Sequence, residues 1–190
     1  MKPLLYHTSS AWLAAVLDDF DTFLKDHAAA EKKASGMAIS MISHYPDRTE
    51  LVERMAELAI EELTHYKEVI KLLHDRNVQL GADVKDPYVI EFRNAIRTGP
   101  DLYLMDRLLI GGIIEARGAE RFGLIADGLP NGKLKNFYRA LTNSESRHHS
   151  LMIELAYLYL DRDAVDQRVD ELLEIEADIC ARLPLRAALH

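Results

Sequence analysis

Apolar residues recur along most of this chain at alternating steps of three and four, the spacing that lays one stripe along an α-helix. Val52, Met55, Ala59, Tyr66, Val69 and Leu73 make one such row, and Leu134, Tyr138, Leu141, Met152, Leu155 and Tyr159 make another. No segment shows the strict alternation of a half-buried strand. Punctuation is sparse, with nine glycines and six prolines gathered at a few points. The pattern predicts a first helix from a Ser9/Ser10 cap to about Ser43, closed by His44-Tyr45-Pro46. A second runs from about Arg48 to Asn77. Residues 78–87 read as a loop, followed by at most a short helix before Pro100. A third helix covers about Pro100 to Ala126 and is ended by DGLPNG at 127–132. A fourth runs from Lys133 to about Leu160, and a shorter fifth from about Ala164 to Arg182.

The link from the second long helix to the third is long and the others are short. That order predicts an all-α fold: a ferritin-like four-helix bundle with one long crossover and an extra C-terminal helix. At 190 residues the chain suits a single domain over 1–190.

Each long helix carries a glutamate inside its apolar row. In the second helix Glu62 interrupts the row from Val52 to Leu73, and His65 falls on the adjoining apolar row with Leu51, Leu58 and Leu72. Glu61 instead shares a polar row with Glu50, Arg54, Glu57, Thr64 and Glu68 and is expected on the surface. The fourth helix repeats the arrangement with Glu145 and His148 in its seam, while His149 lies on a row with Lys135, Arg139, Thr142 and Ser146. The first helix contributes Glu31, between His27 and Ala34. The third contributes Glu115, between Gly112 and Ala119.

One glutamate on an apolar row is ordinarily a misread phase or a side chain reaching outward, because an isolated buried charge is costly. Four buried carboxylates with two histidines need a different explanation, since they would repel one another, protonate or unfold the domain. Two divalent cations cancel the four charges and two neutral imidazoles add none. One Glu from each of two helices plus Glu-x-x-His from each of two others is the donor set of dinuclear carboxylate bundles. Glu31 and Glu62 are 31 positions apart and Glu115 and Glu145 are 30 apart, so two hairpins of matching length bring their ligands to equal depth. In that arrangement Glu62 and Glu145 bridge the ions. Glu31 and Glu115 are terminal carboxylates, and His65 and His148 are terminal nitrogen ligands. Oxygen and imidazole donors without sulfur suit two iron ions, with manganese as the less favoured alternative. Dioxygen activation or ferroxidation is the chemistry expected of such a site.

Composition narrows the setting. A single cysteine, Cys180, cannot form an internal disulfide, which fits a reducing cytoplasm, and it excludes thiolate-rich metal sites. No secretory signal and no membrane-length apolar run is read, so no membrane partner is expected. The net charge of −8 opposes a protein that coats nucleic acid, while leaving room for a local basic patch.

The segments FLKDHAAAEKKASGMAISMI, EELTHYKEV, LLIGGIIEARGAERFGLI and FYRALTNSESRHHSLMIELA together resemble the tRNA-(2-methylthio-N6-isopentenyladenosine) hydroxylases. The resemblance extends from Leu5 to about Leu183. The Glu-x-x-His pairs are shared with ferritins, rubrerythrins and many oxygenases, and the flanks DHAAAEKKAS, IEARGAERF and SESRHH narrow the choice. Metal ligands of that family match Glu31, Glu62, His65, Glu115, Glu145 and His148. The resemblance implies a di-iron monooxygenase that hydroxylates the isopentenyl group of the modified adenosine next to the anticodon. It also implies use of O2 and two electrons from an external reductase or ferredoxin-like donor. Lys32, Lys33, Arg117, Arg121, Lys133, Lys135, Arg139, Arg147 and His149 are basic residues near the ligands that could meet tRNA phosphates; surface ion pairing is the ordinary reading of each. His27 is a ligand-supporting or a packed core histidine. Glu120 could pair with an arginine, Tyr66 reads as a core tyrosine, and ELLEIEAD near the C-terminus reads as a solvated acidic face. The rival function is a ferritin-like ferroxidase or iron store. A rubrerythrin-like peroxidase is excluded by the single cysteine.

Overall fold

The structure is a computed structural model that describes residues 3–190. Among them it shows seven α-helices and no strand. The expected first helix is two helices. α1 (Ser10–Asp18) begins beside Ser9, whose Oγ accepts the Trp12 amide at 3.4 Å. It stops one residue before α2 (Phe20–His44). Asp19, between them, caps α2 by accepting the Thr22 amide at 3.2 Å. No glycine or proline marks this break; the acidic run around residue 19 supplies a capping carboxylate instead.

The chain divides into two compact units, one of Ala14–Lys85 with Arg186–Leu189, the other of Met1–Leu13, Asp86–Leu185 and His190. In the first, α2 packs along α3 (Thr49–Asp75). Phe23, Leu24, Ala28, Met41, Leu51, Met55, Leu58, Val69 and Leu73 form its core. Ser35 is buried where the apolar spacing predicts Ala34, and its hydroxyl donates to the Ala59 carbonyl at 2.8 Å. α3 ends as its sequence requires. Asn77 adopts a left-handed conformation at φ 58°, and the Val78 amide returns to the Leu73 carbonyl at 2.9 Å.

In the second unit the short helix expected before Pro100 is α4 (Pro87–Arg93), capped by Asp86 with Pro87 in its first turn. α5 (Pro100–Gly128) lies along α6 (Lys133–Tyr159), and α7 (Arg162–Arg182) packs on α4, α5 and α6. α5 is buried around most of its circumference, polar residues included. Two of its buried charges, Asp106 and Arg117, are held in ion pairs. Asp106 accepts from Arg97 Nη2 at 2.8 Å and from Arg168 Nε at 2.9 Å. α5 and α6 approach tightly at Gly112, where a Cβ would stand 3.0 Å from Met152 Cβ.

Candidate metal centre

In the unit built on α2 and α3, the three expected residues converge. Glu31 comes from the middle of α2, and Glu62 and His65 sit one turn apart on α3; all three are buried. Glu62 is only 1% exposed while its neighbour Glu61 is half-buried, so the phase read from the apolar row is the one the helix adopts. One donor atom from each of Glu31, Glu62 and His65 lies within 4.8 Å of the other two. His65 Nδ1 is 3.6 Å from Glu31 Oε2 and 3.5 Å from Glu62 Oε2. Two ligands of one cation, each roughly 2.1 Å from it, stand about 3–3.5 Å apart, so these separations suit donors that share an ion.

The unit built on α5 and α6 holds a matching triad. Glu115, Glu145 and His148 are buried, and one donor atom from each lies within 4.8 Å of the other two. His148 Nδ1 is 3.3 Å from Glu145 Oε2. Each triad thus offers two carboxylates and one imidazole in an apolar setting. That donor set fits a hard or borderline divalent cation.

Around Glu31 a further histidine is fixed. His27, one turn earlier on α2, is fully buried with Nε2 2.6 Å from Glu31 Oε1. Its ring lies 5.7 Å from that of Phe23. Burial, and after it the neighbouring His65, lower its pKa to about 3 against the opposing effect of Glu62. His27 is therefore neutral at ordinary pH.

His149 is not on a polar face. It is buried, and its Nδ1–H donates to the Gly112 carbonyl at 2.6 Å, which a lone row of polar neighbours on its own helix could not reveal. Burial lowers its pKa, and the bond to Gly112 acts against that. The contact joins α6, one residue past His148, to α5, one turn before Glu115.

Arg117 and Arg121, read from the sequence as residues that could meet phosphate, are both buried. Arg117 Nε and Nη2 donate to the two oxygens of Glu176 at 2.8 and 3.0 Å. Its Nη1 donates to Glu120 Oε2 at 2.5 Å and its Nη2 to the Tyr6 carbonyl at 2.9 Å. Glu120 is thus an arginine partner, and it also accepts the Thr8 amide at 2.9 Å. Arg121 stacks over Trp12 at 5.0 Å. Nor is the segment ELLEIEAD wholly solvated: Glu176 is 0% exposed and also accepts from Tyr88 Oη and Cys180 Sγ, each at 3.1 Å. The cations that do reach the surface include Lys32, paired with Asp83 at 2.8 Å, and Lys33, which donates to the Val84 carbonyl at 3.0 Å. Arg139 pairs with Asp127 at 2.5 Å, and half-buried Lys135 donates to the Leu129 carbonyl at 3.3 Å. Arg147 and Lys133 are exposed, and Tyr66 is half-buried rather than core.

The family model for tRNA-(MS[2]IO[6]A)-hydroxylase (MiaE) matches residues 1–190. A tRNA 2-(methylsulfanyl)-N(6)-isopentenyladenosine(37) hydroxylase of Pseudomonas putida is 34% identical over 172 residues, covering 90% of this chain and 83% of that protein. The enzyme of the same name from Salmonella typhimurium is 33% identical over 154 residues, covering 81% of this chain and 56% of that protein. Among solved structures, a Synechococcus protein described as having aldehyde deformylating oxygenase activity superposes with a TM-score of 0.95 at 30% identity. It covers all of this chain and 96% of that one. The all-α, ferritin-like fold class expected from the helix order is thereby shown. With the model matching every residue and both named relatives agreeing, the chain belongs to the tRNA-(MS[2]IO[6]A)-hydroxylase family of enzymes.

Proposed function

We propose that Glu31, Glu62, His65, Glu115, Glu145 and His148 together hold two iron ions, and that the whole chain works as one di-iron domain. Manganese is the second choice of metal. Two matched triads of two carboxylates and one imidazole support this reading. Glu62 and Glu145 would hold both ions, while Glu31 and Glu115 would each serve one of them. When bound, the metal pair supplies the activation of O2. The chain's own residues bury the ligands among apolar side chains, restrict water and hold the carboxylates in place.

The reaction is hydroxylation of the isopentenyl group of 2-methylthio-N6-isopentenyladenosine in tRNA, next to the anticodon. One oxygen atom of O2 enters the side chain and the other leaves as water, with two electrons from an external reductase or ferredoxin-like protein. A cytoplasmic setting follows from the substrate, and no helix of the described residues is long and apolar enough to cross a membrane. Among the cations, Lys32, Lys33 and Lys135 are the ones proposed to meet tRNA phosphates. The observation that carries the reading is the family match over the full chain, with both triads formed at the expected positions.

The likeness to the Synechococcus protein favours one competing reading, oxygen-dependent cleavage of an aldehyde. The test is reduced, iron-loaded protein given O2 and either isopentenylated tRNA or an aldehyde, with the products of each analysed by mass. Addition of one oxygen atom to the nucleoside is expected, with the aldehyde unchanged. Aldehyde cleavage alone would replace the tRNA reading. Rapid oxidation and storage of excess ferrous iron, with neither product, would favour the ferritin-like store.

A further inference from the structure

Glu31 has two carboxylate oxygens in two different settings. Oε1 is 2.6 Å from His27 Nε2, a short hydrogen bond, while Oε2 faces His65 Nδ1 at 3.6 Å, beyond hydrogen-bond range. An ionised carboxylate only accepts, so the His27 bond places the proton on Nε2. The ring cannot turn away easily, since it is fully buried and packs at 35° to the Phe23 ring one turn earlier on α2. Spacing alone permits the contact, because residues four apart on a helix face one another.

We infer that His27 is a positioning residue that makes Glu31 a one-oxygen ligand: His27 Nε2–H holds Oε1, and Oε2 is left as the metal donor beside His65. This rests on the reading of Glu31 and His65 as metal ligands. Its consequence is specific. With Oε1 held, Glu31 does not chelate one ion through both oxygens, and a coordination position that a bidentate carboxylate would fill stays open to another ligand. Hydrogen-bonded partners of metal ligands typically govern 10–100-fold in affinity, so the effect is measurable.

Cobalt(II) reports on both occupancy and coordination number, because added ligands weaken its visible absorption. Wild type, His27→Gln and His27→Leu are titrated with cobalt without oxygen, alongside melting curves. Gln keeps a donor within reach of a carboxylate four residues on, and Leu fills similar space without one. The expected result is a wild-type-like spectrum and affinity for His27→Gln. For His27→Leu, cobalt binds at least ~10-fold more weakly with weaker visible absorption, as Glu31 closes onto the ion with both oxygens. Equal spectra and affinities for His27→Leu and wild type would overturn the proposal. So would equal damage in both variants, which would mean the ring's packing matters and its donor does not. A wild type that binds no cobalt would overturn the metal centre itself, and this proposal with it. A measurement independent of any variant is the 15N spectrum of the zinc-loaded wild type. His27 should carry its proton on Nε2; a proton on Nδ1 instead would refute the inference even if His27→Leu failed to fold.

Discussion

Removing Arg117 should be among the most damaging single changes outside the two Glu/His triads, and the size of the loss follows from its contacts. The guanidinium is 0% exposed and spans α5, α7 and the N-terminal segment, giving Glu176 two hydrogen bonds and Glu120 and the Tyr6 carbonyl one each. Burial alone would lower its pKa, but the hydrogen bonds and charge of Glu176 hold it above its ordinary value. In Arg117→Met the Glu176 carboxylate stays fully buried and retains only Tyr88 Oη and Cys180 Sγ as donors among these contacts. Breaking a buried pair by removing one partner costs about 3–5 kcal/mol. For a chain of this size that lowers Tm by roughly 6–20 °C, at 2–4 °C per kcal/mol. Removing both charges is different, because apolar replacements of a buried pair are often neutral. Arg117→Met/Glu176→Leu should therefore lose less than the sum of the two single variants, with a coupling of about 2 kcal/mol. Urea denaturation followed by far-UV circular dichroism measures all four proteins. An Arg117→Met loss below about 1 kcal/mol, or strictly additive losses, would refute the clamp.

Gly112→Ala should lower Tm, since its Cβ would meet Met152 Cβ at 3.0 Å, and overpacking at about 1–3 kcal/mol outweighs the roughly 1 kcal/mol gained by removing a helical glycine. Gly36→Ala, with nothing within 4 Å of the new Cβ, should instead raise it; a change of the same sign in both would break the argument. Metal-free protein should lose stability as pH falls below the unfolded histidine value of 6.5. His27 takes a proton in the unfolded chain there, but not until about pH 3 in the folded one. That slope reaches about 1.4 kcal/mol per pH unit and should be absent from His27→Gln; parallel denaturation midpoints for the two proteins between pH 7 and 5 would contradict it. Ferrous iron added without oxygen should raise Tm, because it binds only the folded protein, and an unchanged Tm would mean the carboxylates are not gathered at one site.

The buried glutamates were legible in the sequence because a buried carboxylate on a long helix leaves a phase signature. Glu62 and Glu61 are adjacent, yet only Glu62 falls in register with Met55, Ala59 and Val69, and it is the fully buried one. Helix ends written in prolines and asparagine were equally legible, as at Pro87, Pro100 and Asn77. The break at Asp19 was not, because a capping aspartate among acidic neighbours looks like ordinary surface charge. Arg117, Glu176 and Asp106 were misjudged or overlooked for a related reason. Their partners lie 59 and 62 positions away along the chain, so helical spacing shows only unpaired charge where the fold makes pairs. His149 belongs to the same class, since its acceptor is a backbone carbonyl 37 positions distant.

The two triads are proposed to act as one oxygen-activating centre on tRNA. The most direct test is nucleoside mass spectrometry of tRNA from a strain lacking the gene, complemented with wild type, Glu61→Ala, Glu62→Ala or Glu145→Ala. The deletion should accumulate the unhydroxylated isopentenyl nucleoside. Wild type and Glu61→Ala should restore its hydroxylated form, while Glu62→Ala and Glu145→Ala, though folded and expressed, should not. Hydroxylated nucleoside persisting in the deletion, or restored by Glu62→Ala, would contradict the account.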